Sequence, residues 1–580
     1  MDNSASKNVS ERSVLRDLIS AARGVEKADL VLKNARFLNV FTGRLEDGDI
    51  AIRHGYIAGI GKYSGEKEID VSGKIVLPGL IDGHIHIESS MITPSEFAKI
   101  AIPHGTTTVI ADPHEIANVA GIEGISYMID NSRDLPLDVY YNIPSCVPAT
   151  GLDESGAELD AASMEPLYGN DHVLGLAELM NSYGTVRNDE EILSKILGAK
   201  KHGRIIDGHA PGASGYDLNA YVAAGVGSDH ECTTAEEAIE KLSRGQWIMI
   251  REGTSAKNLS ALLDLCDEPY CDRCLLVTDD KHPGDIIAQG HIDFIIREAV
   301  KAGKKPENVI KMASFNAATY FGLKDRGAIA PGYLADLIVV SDLSEIRVEK
   351  VFKRGELAAE DGKALVEDTS RQIRKEDYPR VYQSFHLRPL VPEDFEIREK
   401  GAKKRVIELV PGQLLTKEAI VSSEETGDII KVAVIERHKD TGHIGVGFVK
   451  GYGLKKGAVA SSIAHDSHNL IVAGTNEADM ALAANAVREN GGGLAVVSDG
   501  KVLSTLALPV GGLMCECAGA DVEETLLKMK EQAREMGVPE GIDPFMTLAF
   551  TALPVIPKLR ILTRGVVDVD TQSYVPELFD

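Results

Sequence analysis

The chain has 580 residues, of which 44% are hydrophobic and 26% are charged, a balance typical of globular proteins. Its length exceeds what one hydrophobic core usually serves, so we predict two or three domains. The 62 basic and 88 acidic residues give a formal net charge of −26, which disfavours binding to nucleic acid or to an anionic membrane surface.

Targeting signals and cysteine usage point to a soluble cytoplasmic protein. The sequence has no run of about 18 apolar residues, and its first residues lack the apolar segment of a signal peptide. The seven cysteines are scattered, which argues against a disulfide framework and favours a reducing compartment. The pair Cys271 and Cys274 lacks the second pair that a structural zinc site needs, so we interpret both as ordinary thiols.

The first part of the chain predicts a helix followed by strands. An amphipathic helix is expected over residues 14–23, within an N-terminal helical segment of residues 1–24. Short strand-like runs fill residues 25–74, and similar runs return in residues 325–370. Strands on both sides of a long intervening segment predict one small β-domain, a sandwich, assembled from two pieces.

Residues 75–324 follow a different rhythm. Apolar strand-like runs alternate with helical patterns about every ~20 to 35 residues, as repeated βα units require. Eight such runs lie near residues 81, 109, 140, 176, 206, 228, 250 and 277. Eight units predict a closed (β/α)₈ barrel of the TIM type rather than an open doubly wound sheet, although the third helix is weakly marked.

Residues 378–580 are too numerous for a tail and predict a further domain. Their strand-like runs, including two around an Asp499–Gly500 turn, indicate antiparallel pairing. Residues 477–490 and 521–537 have helical patterns. We therefore predict an additional C-terminal α+β domain.

Metal-ligand side chains recur at the carboxyl ends of the predicted barrel strands, where this fold builds its active sites. His84 and His86 lie two residues apart on one strand and therefore share a face. The full set is His84, His86, Glu178, His209, His230 and Asp279. One histidine in an apolar strand is more often a core residue, but this joint pattern predicts a site for Mn²⁺, Fe²⁺ or Zn²⁺.

Longer motifs add a family resemblance. The HxH of GLIDGHIHIE, the later strand-end histidines and aspartate, and the split β-domain resemble the amidohydrolase superfamily. Many members carry a carbamylated lysine on the fourth strand, where this chain has Glu178. That glutamate, SSMITPSEFA, ADPHEIANV and the size of the C-terminal region are similar to the adenine deaminase branch over essentially the whole chain.

The resemblance implies hydrolytic deamination of adenine to hypoxanthine and ammonia, a purine-salvage reaction. The six ligands would hold two divalent ions, which lower the pKa of a water molecule and supply hydroxide. The resemblance favours Mn²⁺, with Fe²⁺ or Zn²⁺ as the alternatives. Asp279 would accept the proton of that water and pass it to the departing amine. Glu115 would protonate or hydrogen-bond the purine ring, with Glu88, Asp112 and His114 as further contacts to the substrate or to an additional metal.

Several alternatives stay open on the sequence. The DPHE segment could instead cap the following helix. A cyclic amidohydrolase for dihydropyrimidine- or hydantoin-like rings would use the same metals but usually carries the lysine, and a metal-free scaffold would have lost ligands. The HDSH segment, His465 to His468, could contact metal or substrate but is more typical of a loop. A homodimer is the default expectation for an oligomer.

Overall fold

The computed structural model describes residues 11–365, 373–397, 400–410 and 413–580. The predicted N-terminal helix spans Glu11–Ala22, while residues 1–10 of the predicted helical segment lie outside the described residues. Leu18 and Ala21 of this helix pack against Val31 and Ala51 of the strands that follow. The helix therefore covers one face of the small sheet.

The two predicted β pieces join in one sheet, which has nine strands among the described residues. Leu337–Val340 of the second piece pairs antiparallel with Ile75–Pro78, and Ile75–Pro78 pairs parallel with Ala28–Asn39 of the first. Residues 366–370 of the predicted second piece lie outside the described residues. In chain order the strands are Ala28–Asn39, Arg44–Arg53, Tyr56–Gly61, Gly65–Asp70, Ile75–Pro78, Leu337–Val340, Val348–Lys353, Glu356–Glu360 and Lys363–Ala364.

The segment between these pieces, residues 80–320, is here named the βα region. Each of the eight predicted runs contains a strand, and nearly all of these strand residues are buried because apolar side chains face neighbours on both sides. The strands are Leu80–Ile85, Thr106–Ala111, Asp138–Ile143, Val173–Leu179, Ile205–Gly208, Ser228–Asp229, Trp247–Arg251 and Cys274–Val277. The first five form one parallel sheet and the last three form another.

Backbone contacts bridge both gaps between these two sheets. The Gly227 amide donates to the Ile206 carbonyl oxygen at 2.8 Å, and the Asp279 amide donates to the His84 carbonyl oxygen at 2.9 Å. At the first gap a Cβ on Gly208 would lie 2.2 Å from the Ser228 carbonyl oxygen, so only glycine allows this approach. The second gap brings the predicted ligands His84 and Asp279 side by side.

Helices follow the strands as the repeated pattern predicts. They are Pro94–Ala101, His114–Ala120, Ile122–Asn131, Ala161–Met164, Ser182–Val186, Glu190–Lys201, Gly215–Ala223, Ala235–Ser243, Leu259–Leu262, Pro283–Gln289, Ile292–Lys301, Pro306–Lys311 and Ala317–Tyr320. The third unit, whose helical pattern is weak, has only the four-residue helix Ala161–Met164 and a short 3₁₀ turn, Glu165–Gly169.

Residues 379–580, named here the C-terminal region, contain a second nine-stranded sheet among the described residues. Its strands are Lys403–Leu409, Thr416–Ser422, Ile429–Ile435, Ile444–Lys450, Ala458–Ser461, Leu470–Gly474, Gly493–Ser498, Lys501–Ala507 and Leu578–Phe579. Asp499 and Gly500 have φ of 54° and 70°, as a tight hairpin turn requires. A three-stranded sheet is also present: Leu559–Leu562, Gly565–Asp568 and Ser573–Val575. The helices are Pro379–Tyr382, Glu477–Glu489, Gly519–Glu535 and Pro544–Thr551.

The C-terminal region docks directly on the βα region. Backbone hydrogen bonds join Cys515 to Met91 and Thr93, just after the first βα strand, and one continuous apolar core spans both regions. Cys515 and Cys517 form a disulfide, a pairing that the scattered spacing of the cysteines did not indicate, and the other five cysteines are free and buried. Within the described ranges, no helix has the length and apolarity needed to cross a bilayer.

Candidate active site and metal centre

The six predicted ligands converge at the carboxyl ends of the βα strands. Asp279 Oδ1 lies 3.2 Å from His86 Nε2 and 3.7 Å from His84 Nε2. Glu178 Oε2 lies 2.7 Å from His209 Nδ1 and 3.2 Å from His230 Nε2, while its Oε1 lies 3.5 Å from His86 Nε2. Glu178 thus contacts His86, which lies early in the βα region, and also His209 and His230, which lie later in it. It therefore occupies the middle of the cluster.

The donor atoms fit divalent metal ions. His84 Nε2 is buried and has no hydrogen-bond partner among the described residues, although a buried ring nitrogen normally has one. His86 Nδ1 lies 3.0 Å from the Asp112 carbonyl oxygen, which can only accept, so Nδ1 carries the proton and Nε2 presents a lone pair. An outer hydrogen bond of this kind is what orients metal-binding histidines.

The electrostatics keep both central carboxylates ionised. Burial alone would raise the pKa of Glu178, but hydrogen bonds from His209 and His230 hold it well below its usual range. Burial likewise opposes ionisation of Asp279, yet the Arg251 guanidinium and the two HxH histidines hold its pKa well below the ordinary value. Carboxylates in this state are ready to bind a cation.

Arg251 and Glu231 complete this cluster and were not predicted. Arg251 Nη1 lies 2.6 Å from Asp279 Oδ2, and its Nη2 lies 2.9 Å from Glu231 Oε2. Glu231 Oε1 is in turn 3.3 Å from His230 Nε2. Both residues lie at the ends of predicted strands, so their position near the opening could have been inferred. They were not selected because a guanidinium does not bind metal and because Glu231 directly follows His230, which was already predicted as the ligand.

A second cluster crosses from the βα region to the C-terminal region. Glu115 Oε1 lies 2.9 Å from His465 Nδ1, and Glu115 Oε2 contacts His468 Nε2. Burial opposes the ionised form of Glu115, but the charge of His465 and the neighbouring imidazole of His468 hold its pKa well below the usual range. The structure therefore makes the HDSH segment part of the site rather than an uninvolved loop.

The two histidines play different parts in this cluster. The Ala464 amide donates to His468 Nδ1 at 3.2 Å, so a neutral His468 carries its proton on Nε2 and donates it to Glu115. Burial lowers the pKa of His468, which favours this neutral form. Burial also disfavours protonation of His465, but the Glu115 charge outweighs it and raises the pKa of His465 to about 9. His468 is thus a hydrogen-bond donor, with no free lone pair facing Glu115.

The remaining predicted residues surround Glu115. His114 Nε2 lies 3.3 Å from Glu115 Oε1, and His114 Nδ1 lies 3.3 Å from Asp112 Oδ2. Glu88 Oε1 accepts a hydrogen bond from the Ile116 amide at 3.2 Å, and burial raises the pKa of Glu88 to about 7. The helix His114–Ala120 begins without a side-chain cap from its own DPHE segment, so the capping alternative is wrong for these residues.

A cavity of about 330 Å³ opens over both clusters. Of the residues predicted to contact substrate, Glu115 and His114 line it, whereas Glu88 and Asp112 are not among its lining residues. The C-terminal region contributes much of the opposite side, including Asp466, Phe550 and Leu553. A buried set of imidazoles and carboxylates beneath such a cavity is the arrangement of a metal-dependent hydrolase.

Comparisons with known proteins define the family. The profile of the amidohydrolase family matches residues 75–358, and that of the adenine deaminase C-terminal domain matches residues 407–573. Adenine deaminase 2 of Carboxydothermus hydrogenoformans is 49% identical over 97% of this chain and 99% of its own length. The adenine deaminase of Desulfatibacillum aliphaticivorans is 47% identical over 96% and 98%, and that of Bacillus pumilus 43% over 98% and 99%. The chain belongs to the adenine deaminase family of the amidohydrolases.

Proposed function

We propose that this chain hydrolyses adenine to hypoxanthine and ammonia. The observation that carries the proposal is the central position of Glu178, whose two oxygens contact His86 on one side and His209 and His230 on the other. A glutamate in this position is the feature by which the sequence resembles the adenine deaminase branch. The substrate named for the relatives supports the same reaction.

The centre is proposed to hold two divalent ions. The donors are imidazoles and carboxylates without thiolate, a set that admits Mn²⁺, Fe²⁺ or Zn²⁺, and the resemblance to adenine deaminases favours Mn²⁺. The proposed ligands are His84, His86, Glu178, His209, His230 and Asp279. When bound, the ions would act as Lewis acids and lower the pKa of a water molecule. The unpartnered Nε2 of His84 supports this assignment, and so do the ionised central carboxylates.

Asp279 is the proposed proton carrier. Its Oδ2 is held by Arg251, which fixes the carboxylate and leaves Oδ1 facing the HxH histidines. An ionised Asp279 accepts the proton of the attacking water at Oδ1 and then donates it to the leaving amine. The Arg251 contact keeps Asp279 in the accepting form before the reaction begins.

Glu115 is proposed to orient the purine as an acceptor. Because imidazoles hold its pKa low, Glu115 is ionised at neutral pH and has no proton of its own to give. His465 lies 2.9 Å away with a pKa of about 9, so it carries the nearest proton. A proton delivered to a ring nitrogen through Glu115 would therefore be replaced from His465.

The same proposal extends to architecture. The backbone contacts at both gaps support closure of the eight parallel strands into a (β/α)₈ barrel, formed by residues 75–324. The small β-domain would comprise residues 25–74 and 325–370, with the helical segment 1–24 before it and the α+β domain of residues 378–580 after it. A homodimer remains the default proposal for its assembly.

An ammonia-release assay with added Mn²⁺ tests the function directly. Adenine, adenosine, guanine and a dihydropyrimidine are compared, and metal content is measured on the same preparation. Ammonia from adenine with close to two ions per chain is expected. Ring opening of the dihydropyrimidine releases no ammonia and is therefore followed by the loss of its ring absorbance. Such turnover without deamination of adenine would support a cyclic amidohydrolase, and failure to bind metal would support a scaffold.

A further inference from the structure

The side of the cavity formed by the C-terminal region is largely apolar. Phe550 stacks on the His465 ring with centroids 4.6 Å apart. The apolar residues that this region contributes to the cavity are Leu414, Phe550, Leu553, Val555 and Ile556. One carboxylate, Asp466, lies among them, and it is only 4% exposed. Such a surface suits a flat aromatic ring with a polar edge.

Asp466 differs from the other carboxylates that line this cavity. Those others are engaged by protein groups: Glu115 by His465 and His468, Glu178 by His209 and His230, Glu231 and Asp279 by Arg251, and Asp280 by Ser89. Asp466 Oδ2 is buried and has no hydrogen-bond partner among the residues that the structure describes.

Burying a carboxylate oxygen without a hydrogen-bond donor costs free energy, because the oxygen loses its hydrogen bonds to water and gains none from the protein. Burial raises the pKa of Asp466 to about 6, which reflects this cost, but the group is still mostly ionised at neutral pH. An ionised carboxylate only accepts hydrogen bonds. A molecule that enters the cavity and donates a hydrogen bond would supply this partner.

Adenine offers two kinds of donor. The 6-amino group leaves during the reaction and faces the metal centre and Asp279. The other donor is the N–H of the imidazole ring, and Asp466 Oδ2 is an acceptor in the cavity lining that has no protein donor among the described residues. We propose, on the basis of the proposed function, that Asp466 accepts the hydrogen bond of this imidazole N–H and so selects the free base over purines substituted at that nitrogen.

Methylation removes the donor without adding much bulk, so adenine and 9-methyladenine are the probes. Their kcat/KM values are measured by ammonia release for the wild-type protein and for Asp466→Ala and Asp466→Asn, with metal content determined for each. The wild type is expected to prefer adenine by on the order of 100-fold or more, because a buried hydrogen-bonding group rejects an analogue that leaves it unpaired. Asp466→Ala is expected to lose most of that preference.

The matched control is Asp521→Asn. Asp521 is an exposed carboxyl group on the helix Gly519–Glu535 of the same region, and it is not among the residues lining the cavity. This variant should keep the wild-type preference. Asp466→Asn keeps the side-chain volume but offers a neutral and therefore weaker acceptor, so its preference should fall between those of the wild type and Asp466→Ala, and it serves if the alanine variant fails to fold.

The outcomes separate the two proposals. If the wild-type protein releases no ammonia from adenine, the proposed function fails. If it does so but both Asp466 variants keep the wild-type preference, the role of Asp466 is overturned. Loss of metal from either variant would also overturn it, because Asp466 would then be a ligand.

Discussion

The βα region and the C-terminal region contribute to one cavity in different ways. The βα region supplies a compact cluster in which ionised carboxylates and imidazoles contact one another, with Glu178 at its middle. The C-terminal region supplies an apolar surface, two histidines that hold Glu115, and one carboxylate oxygen without a partner. On the proposed function, the βα region holds the groups for bond breaking, and the C-terminal region contributes, together with Glu115, the surface that would contact the ring.

This division explains why the cavity needs both regions. The contacts of Cys515 with Met91 and Thr93 fix the C-terminal region directly beside the first strand that carries the HxH motif. A shift of that interface would move His465 and His468 away from Glu115 while leaving the histidines around Glu178 in place. Variants in the two regions should therefore differ in whether metal content or substrate kinetics is affected.

The largest effect is expected for Glu178→Gln in the βα region. The amide loses the negative charge that contacts His86, His209 and His230, so metal content should fall. Metal ions contribute several kcal/mol to such reactions, and kcat/KM should fall on the order of 10³-fold or more. Metal analysis and the ammonia assay measure both effects.

Glu190→Gln is the matched control, because Glu190 is an exposed helix residue of the same region. It should keep both metal and activity. If Glu178→Gln kept the wild-type metal content and rate, Glu178 would not be the central ligand of the metal site.

Arg251→Met should have the next largest effect, and its signature is a pH shift. The Arg251 charge favours the ionised form of Asp279, so its removal raises the pKa of that carboxyl group. Because Asp279 must be ionised to accept a proton, the acid limb of the kcat/KM profile should move to higher pH. Loss of this contact also frees the Asp279 carboxylate to leave its reactive orientation, so the rate at neutral pH should fall about 10- to 100-fold.

Arg244→Met, at a partly exposed arginine on the surface of the same region, controls for the loss of a positive charge. Its pH profile should match the wild type. If the acid limb of the kcat/KM profile did not shift in Arg251→Met, the ionisation of Asp279 would not control the rate.

The sequence predicted the βα half of the site well because strand ends follow a fixed geometry. His84 and His86 share a face by their spacing alone, and a strand end in this fold points to the common opening. The part played by the C-terminal region could not be predicted in this way. His468 lies 353 positions from Glu115 in the chain, and only the docking of the two regions brings them together.

The same contrast applies to Asp466 and Arg251. Arg251 ends a predicted strand, so its place near the opening could have been inferred, although its partners could not. Asp466 sits in a loop between two strands, where no periodicity fixes the direction of a side chain. Its significance depends on a partner that it lacks, and a sequence pattern cannot show that.

His468→Ala should sharpen the contrast between the regions, since it should lower activity without removing metal. His468 donates from Nε2 to Glu115 and its Nδ1 accepts from the Ala464 amide, so it has no lone pair to give to an ion. The loss of one hydrogen bond, about 1 kcal/mol, predicts a fall in kcat/KM of up to about tenfold. Metal content should equal the wild-type value.

His443→Ala is the matched control, because His443 belongs to the same region and contacts Glu154 rather than Glu115. It should leave the kinetics unchanged. Loss of metal in His468→Ala alone would contradict the hydrogen-bond assignment and indicate that this second cluster binds an ion.

The smallest effect is expected for Phe550→Ala in the apolar wall. Stacking of an aromatic side chain on a base contributes about 1 kcal/mol or somewhat more, and this contact is the same in the ground state and in the transition state. KM for adenine should therefore rise roughly fivefold while kcat stays at the wild-type value.

Tyr574→Ala, at a partly exposed aromatic residue of the same region, should change neither constant. Because Phe550 also stacks on His465, a fall in kcat would show that it acts through the Glu115 cluster, and the wall would then belong to the chemistry as well as to recognition.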